Sequence, residues 1–263
     1  MKKSLLLLAF VAMLPLGRTQ TPAPAGAVAA PVAAAPAPKP DAAAALEKND
    51  PSGKFRWMHA SFLARGKSPM DVLFLGDSIT EGWLRAPHVW DHYYGVLRPA
   101  NFGIGGDQTQ HVIWRIENGE LDGVHPKAVV LMLGTNNTGA HSAEEITAAN
   151  KKIVELIRAK IPETKVLLLA IFPRGARKNA QGLVTEQAIA DATKRTAVIN
   201  AVNAKLAKLD DGTHVRYLDI GERFVGQDGK IPFAIMPDQL HPNAAGYQLW
   251  AEAIQPLLTE MMK

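Results

Sequence analysis

The chain has 263 residues, of which 47% are hydrophobic and 21% charged, a composition typical of a soluble globular protein. It contains no cysteine, which excludes a thiol nucleophile, a thiolate metal site and a cysteine-ligated iron–sulfur cluster. The formal net charge is +4, but no basic run or aromatic-interleaved patch stands out, so nucleic acid is not an expected partner.

Residues 1–18 are typical of a secretory signal peptide. Two lysines precede an apolar run of roughly a dozen residues, which is shorter than a membrane span. No small-x-small pattern directly after this run marks a cleavage site. The sequence therefore predicts export, to the periplasm or the outside of the cell, and no membrane span in the mature protein.

Residues 19–49 consist mostly of Ala and Pro. Such a composition cannot bury a hydrophobic core and predicts a disordered, extended spacer. One globular domain is then expected over residues 50–263.

Within that domain, apolar runs alternate with helical patterns. Continuous apolar runs are typical of parallel strands that are covered on both faces. The strand candidates are 71–76, 100–102, 128–134, 165–172 and 215–220, and the helical patterns cover 142–161, 185–209 and 244–262. This alternation predicts an α/β fold, a three-layer α/β/α sandwich with a mostly parallel sheet.

Polar clusters follow the predicted strands. They are "GDS" at 76–78, "GIGGD" at 103–107, "GTNN" at 134–137 and "DQLHP" at 238–242, the last in the loop before the final helix. Parallel sheets place ligands at the carboxyl ends of their strands. We therefore expect the four clusters to open on the same edge of the sheet.

These clusters contain the groups that acyl transfer needs. Ser78 is a candidate nucleophile, His241 its base, and Asp238 the carboxylate that orients the imidazole. Donors for a developing oxyanion are the N–H groups of Ser78 and Gly106 and the side-chain amide of Asn136.

Taken one at a time, the clusters have structural explanations as well. "GDS" and "DQLHP" contain residues that cap helices, and "GIGGD" and "GTNN" are typical of turns. A phosphate loop is disfavoured, because G-x-G-x-x-G is absent and no lysine follows as in a P-loop.

Together the four clusters resemble the GDSL, or SGNH, hydrolase family. The resemblance implies a flavodoxin-like sheet, a Ser78–His241–Asp238 triad, and an oxyanion hole formed by Ser78, Gly106 and Asn136. The sequence departs from the family at Asn137, where many members carry Asp. Within the family, "NFGIGGDQTQHVIWRIENGEL", "GTNN" and "FPRG" resemble the catalytic subunits of platelet-activating-factor acetylhydrolase, which implies a preference for small acyl groups.

The expected function is that of an exported serine esterase that hydrolyses short-chain esters, acetyl esters above all, without a metal or an organic cofactor. For an exported enzyme, a carbohydrate O-acetyl ester is favoured over a lipid. The alternatives are a lipid-directed acetylhydrolase or lysophospholipase and, in another class, a non-catalytic carbohydrate- or surface-binding domain.

Most other conspicuous side chains are expected to have structural roles. The remaining histidines have no metal-ligand spacing with nearby acids. The five tryptophans are expected in the core, with Trp83 close enough to Ser78 to line a pocket. Arg174 of "FPRG" either faces the site or forms a surface salt bridge.

Overall fold

The computed structural model describes residues 39–263. The predicted signal peptide (1–18) and the first part of the predicted spacer (19–38) lie outside the described residues.

In the described part of the chain, five parallel strands form one sheet in the order β2-β1-β3-β4-β5. The strands are β1 Val72–Gly76, β2 Ala100–Gly103, β3 Ala128–Met132, β4 Lys165–Leu169 and β5 Val215–Leu218. This is the flavodoxin-like order, so the predicted fold class is confirmed. Gly76 pairs with Gly103 on β2 and with Met132 on β3, so these three strands end at the same level.

Within residues 39–263, seven α-helices surround the sheet. They are α1 Lys54–Arg65, α2 Ser78–Glu81, α3 Pro87–Tyr94, α4 Thr109–Arg115, α5 Ala143–Lys160, α6 Glu186–Leu206 and α7 Ala244–Met261. The capping box of Ser142 and Glu145 opens α5, and α5, α6 and α7 confirm the three predicted helical patterns. Between residues 39 and 263, no helix combines the length and the apolar character that crossing a bilayer requires.

Strand β1 shows why the sheet is buried on both sides. Leu73 and Leu75 face one core, which includes residues of α1, α4, α5 and α6. Val72 and Phe74 face the other, which includes residues of α3 and α7. Side chains alternate along a strand, so a continuous apolar run fills both cores at once.

The tryptophans depart from expectation at one position. Trp83 and Trp250 are fully buried together in the core that contains α7. Trp57, in contrast, is 70% exposed, so its expected core position is wrong. The α1 residues that pack inward are Phe55, Met58, His59 and Phe62. Trp57 lies on the opposite face of that helix because of the 3.6-residue period.

Residues 39–49, the second part of the predicted spacer, pack on the domain instead of extending from it. We call this segment the N-terminal arm. Ala42 is fully buried, and its carbonyl accepts a hydrogen bond of 2.8 Å from the Thr109 hydroxyl. The Leu46 N–H donates to the Gln110 carbonyl, and the Pro40 carbonyl lies 2.8 Å from His141 Nε2. The folded domain therefore includes residues 39–49, which the predicted boundary at residue 50 leaves out.

Candidate active site

Ser78 stands where β1 gives way to α2. Asp77 is the N-cap of this helix, and its Oδ1 accepts a 2.9 Å hydrogen bond from the Ile79 N–H. The capping explanation of "GDS" thus holds for Asp77. Ser78 is the first residue of the helix, and its hydroxyl is directed elsewhere.

The Ser78 hydroxyl lies against an imidazole that a carboxylate holds. Ser78 Oγ is 2.9 Å from His241 Nε2, and His241 Nδ1 is 2.7 Å from Asp238 Oδ2. Asp238 Oδ1 also accepts the backbone N–H groups of Leu240 and His241. One carboxylate therefore shapes the loop and orients the ring within it, as a serine nucleophile and its base require.

An arginine that the sequence analysis missed lies beside this carboxylate. Arg177 Nη2 is 2.8 Å from Asp238 Oδ2. Partial burial opposes ionisation of Asp238, but hydrogen bonds from the His241 backbone and ring hold the pKa of its carboxyl below the usual value, helped by the charges of His241 and Arg177. Asp238 is therefore ionised at neutral pH and can stabilise an imidazolium.

The proposed oxyanion donors are backbone and amide groups. Gly106 has a positive φ of 75°, which glycine tolerates best. Within residues 39–263, no acceptor is found for the N–H of Ser78 or of Gly106. Asn136 Nδ2 donates to the Asp107 carbonyl at 2.8 Å, and the Asn136 carbonyl accepts from Gln108 Nε2 at 3.0 Å. The loops after β2 and β3 are thereby tied together.

Asn137 supports this connection as a fully buried amide. Its Oδ1 accepts the Thr109 N–H at 3.0 Å, and its Nδ2 lies 3.0 Å from Gln110 Oε1. An amide both donates and accepts, whereas an ionised Asp only accepts. The departure from the family pattern at this position therefore suits the polar groups at the start of α4.

Buried charges lie beneath the loop after β2. Burial raises the pKa of Asp77 to about 7 and that of Asp107 to about 6. Arg115 opposes the shift at Asp107, because its Nε is 3.1 Å from Asp107 Oδ2, and its Nη1 is 2.7 Å from Glu120. Burial lowers the pKa of His111 to about 4, and its Nδ1 accepts the Gln108 N–H. This network joins α4 to the strand ends.

An arginine and an open depression lie around the candidate site. Arg174 is half-buried, with its Nη1 3.3 Å from the Thr135 hydroxyl, so it borders the "GTNN" loop. It forms no salt bridge with any residue between 39 and 263. Beside His241 lies an open depression of about 270 Å³. Among residues 39–263, no cluster of three or more His, Asp or Glu side chains is arranged to hold a metal ion.

Known proteins resemble this chain in sequence and in fold. A sequence profile of the GDSL-like lipase/acylhydrolase family matches residues 74–249, a range that includes Ser78, Gly106, Asn136, Asp238 and His241. The chain is 37% identical over 217 residues to platelet-activating factor acetylhydrolase IB subunit alpha1 of Bos taurus, covering 81% of this chain and 87% of that one.

A second relative and a solved structure extend the likeness. The chain is 35% identical over 226 residues to the alpha2 subunit of the same enzyme from Gallus gallus, covering 84% of this chain and 92% of the relative. The fold is similar to that of a crystal structure of a putative acylhydrolase from Bacteroides fragilis, with a TM-score of 0.63 and 22% identity, covering 82% of this chain and 100% of the other.

Proposed function

Since the chain belongs to the GDSL-like lipase/acylhydrolase family, we propose that it hydrolyses short-chain esters, acetyl esters above all, through an acyl-enzyme on Ser78. Membership of this family makes the protein a carboxylic ester hydrolase. The observation that carries the finer proposal is the continuous contact from Ser78 Oγ to His241 and on to Asp238.

In the first half of the reaction, Ser78 Oγ attacks the ester carbonyl carbon while His241 Nε2 takes the hydroxyl proton. The carbonyl oxygen becomes an oxyanion, which the N–H groups of Ser78 and Gly106 and the amide of Asn136 stabilise. When the tetrahedral intermediate collapses, the C–O bond to the alcohol breaks and His241 returns the proton to the leaving oxygen.

In the second half, water replaces the alcohol. His241 takes a proton from water, the hydroxide attacks the acyl carbon, and the bond to Ser78 Oγ breaks as the serine regains its proton. Asp238 remains ionised throughout and stabilises the imidazolium that forms twice in each turnover.

One observation supports a small acyl group. The curated relatives carry the name of an acetylhydrolase.

The alcohol is proposed to be a carbohydrate, on the ground that residues 1–18 predict export. The second candidate is a lipid-directed acetylhydrolase, which the relatives' name, platelet-activating factor acetylhydrolase, favours. A non-catalytic binding domain is no longer a candidate, because the family consists of acylhydrolases.

The proposal is tested with p-nitrophenyl esters of increasing acyl length, on the purified protein and on Ser78→Ala. We expect kcat/KM to fall from acetyl to octanoyl, although each extra methylene would add up to about 0.8 kcal/mol of favourable burial in a fitting pocket. Ser78→Ala should lose both hydrolysis and covalent labelling by a fluorophosphonate, whereas Ser61→Ala, a serine on α1 bonded to the Met58 carbonyl, should retain both.

The outcomes separate the parts of the proposal. Labelling of Ser78→Ala would remove Ser78 as the nucleophile. A preference for octanoyl esters would overturn the acetyl specificity and leave the nucleophile in place. Acetate release from an acetylated oligosaccharide, compared with release from an acetyl glycerophospholipid, decides between the two alcohols.

A further inference from the structure

The N-terminal arm brings a lysine to the loop that follows β2. Lys48 Nζ donates a hydrogen bond to the Gly105 carbonyl and lies 3.4 Å from Asp107 Oδ1. Its side chain is only 19% exposed. Lys48 is outside residues 74–249, the range that the family profile matches.

The Gly105 carbonyl belongs to the same peptide unit as the Gly106 N–H. A peptide unit is planar and trans, so its C=O and N–H point in opposite directions. A group that holds the carbonyl oxygen from behind therefore determines where the N–H points. The unit joins two glycines, whose wide conformational freedom would otherwise allow it to rotate.

Gly105 is held from its other side as well. Its N–H donates to Glu81 Oε2 at 2.6 Å, and Glu81 Oε1 is 2.6 Å from Lys54 Nζ. Two charged side chains, Glu81 on the N–H and Lys48 on the carbonyl, thus fix both polar atoms of one glycine.

Lys48 is also connected to Asn136, another proposed donor, through Asp107. The Asp107 side chain faces Lys48, and the Asp107 carbonyl accepts the Asn136 amide at 2.8 Å. A positive charge at the carbonyl end polarises the Gly105–Gly106 peptide and strengthens its N–H as a donor.

On the basis of the proposed function, we propose that Lys48 is a positioning residue of the oxyanion hole, which directs and polarises the Gly106 N–H from the N-terminal arm. The acyl group would contact Gly106 and Asn136, and Lys48 would act only through them. Lys48 would stabilise the transition state more than the bound substrate, because the negative charge of the oxyanion develops in the transition state.

The test uses the full chain and p-nitrophenyl acetate. In Lys48→Met we expect kcat to fall roughly 10–100-fold with little change in KM, less than the 10²–10³-fold loss that follows deletion of a donor itself. Inhibition by a short alkylboronic acid, which forms a tetrahedral anion on the serine, should weaken by a similar factor. Lys48→Arg, which keeps the charge and the donors, should recover most of kcat.

Lys152→Met is the matched control. Lys152 Nζ also donates to a backbone carbonyl of the arm, that of Ala43 at 3.1 Å, and pairs with Glu117. It should keep kcat within about twofold of the original protein. An equal loss in Lys152→Met would assign the effect to docking of the arm and overturn the role of Lys48.

Thermal denaturation establishes that each variant is folded at the assay temperature, and Lys48→Gln replaces Lys48→Met if the latter is unfolded. An unaltered kcat in a folded neutral variant overturns the proposal. If Ser78→Ala is inactive and Lys48→Met is fully active, only the inference about Lys48 fails. If Ser78→Ala remains active, the proposed function fails first.

Discussion

Asp77 and Ser78 are neighbours in the chain with different environments. Asp77 is fully buried, caps α2 and lies 3.4 Å from the Asn136 amide, while Ser78 Oγ contacts His241. Burial raises the pKa of Asp77 to about 7, and the charge of Asp107 acts in the same direction. The Asp77 carboxyl, which helps to position Ser78, is therefore harder to ionise in the folded protein than in the unfolded chain.

The raised pKa of Asp77 has a consequence for stability. The folded state binds its proton more tightly than the unfolded state, where the ordinary pKa is 3.8. The contribution of Asp77 to the free energy of unfolding should thus be most favourable below about pH 4. It should fall as pH rises to about 7, by at most about 1.4 kcal/mol per pH unit for one proton.

Asp77→Asn isolates this effect, because Asn still accepts the Ile79 N–H and carries no charge. Relative to the variant, the original protein should lose stability as pH rises from about 4 to about 7, as measured by urea unfolding. Asp107 is present in both proteins, so its own titration largely cancels. A stability difference that does not vary with pH would contradict the assigned burial cost.

At the scale of elements, α2 can approach β2 closely because Gly103 has no side chain. A Cβ at this position would lie 2.7 Å from Thr80 C and 2.8 Å from Asp77 O, and still closer to the Glu81 nitrogen. All three are backbone atoms of α2 or of its N-cap residue Asp77, and backbone atoms cannot move aside as a side chain can. The "GIGGD" motif therefore includes a packing requirement at its first glycine.

Gly103→Ala should displace α2 and with it the Ser78 hydroxyl. We expect a loss of about 1–3 kcal/mol in the free energy of unfolding, as for other overpacked sites, and a reduced kcat. Gly95→Ala is the control, since a Cβ there meets only the Asp91 Cβ at 3.9 Å and φ is −49°. If Gly103→Ala had the same free energy of unfolding as the original protein, α2 would be able to shift without destabilising the fold.

For the whole molecule, the N-terminal arm extends the folded unit beyond the boundary predicted from composition. It buries Ala42 and supplies acceptors to the buried side chains of Thr109 and His141. Removing the arm would leave these polar groups without those partners, and an unpaired buried group is costly.

Two shortened proteins measure this contribution, one beginning at residue 39 and the other at residue 50. The shorter one should unfold with a free energy lower by roughly 2–4 kcal/mol, from lost hydrogen bonds and burial. Its kcat should also fall, because Lys48 is removed with the arm. Equal unfolding midpoints in urea would mean that the arm contributes nothing to the domain.

Local features of the sequence determined much of the architecture. Apolar runs over 71–76 and 165–172 predict buried strands because both faces of a parallel strand need apolar side chains. The Ser142–Glu145 capping box marks the start of α5 because it satisfies free backbone groups within one turn. The site motifs were recognisable for the same reason, since each is a short stretch that ends a strand or opens a helix.

Tertiary structure decided which of these groups meet. Ser78 and His241 are 163 positions apart, and their 2.9 Å contact depends on the order of the strands and the level at which they end. The sequence around Arg177 and Lys48 shows no comparable pattern. A Lys or Arg side chain can donate to any nearby oxygen and requires no particular neighbours in the chain. The arm resembled a spacer because Ala and Pro form few specific contacts by themselves. The arm packs on the domain because the folded surface buries Ala42 and supplies hydrogen-bond donors to the carbonyl groups of the arm.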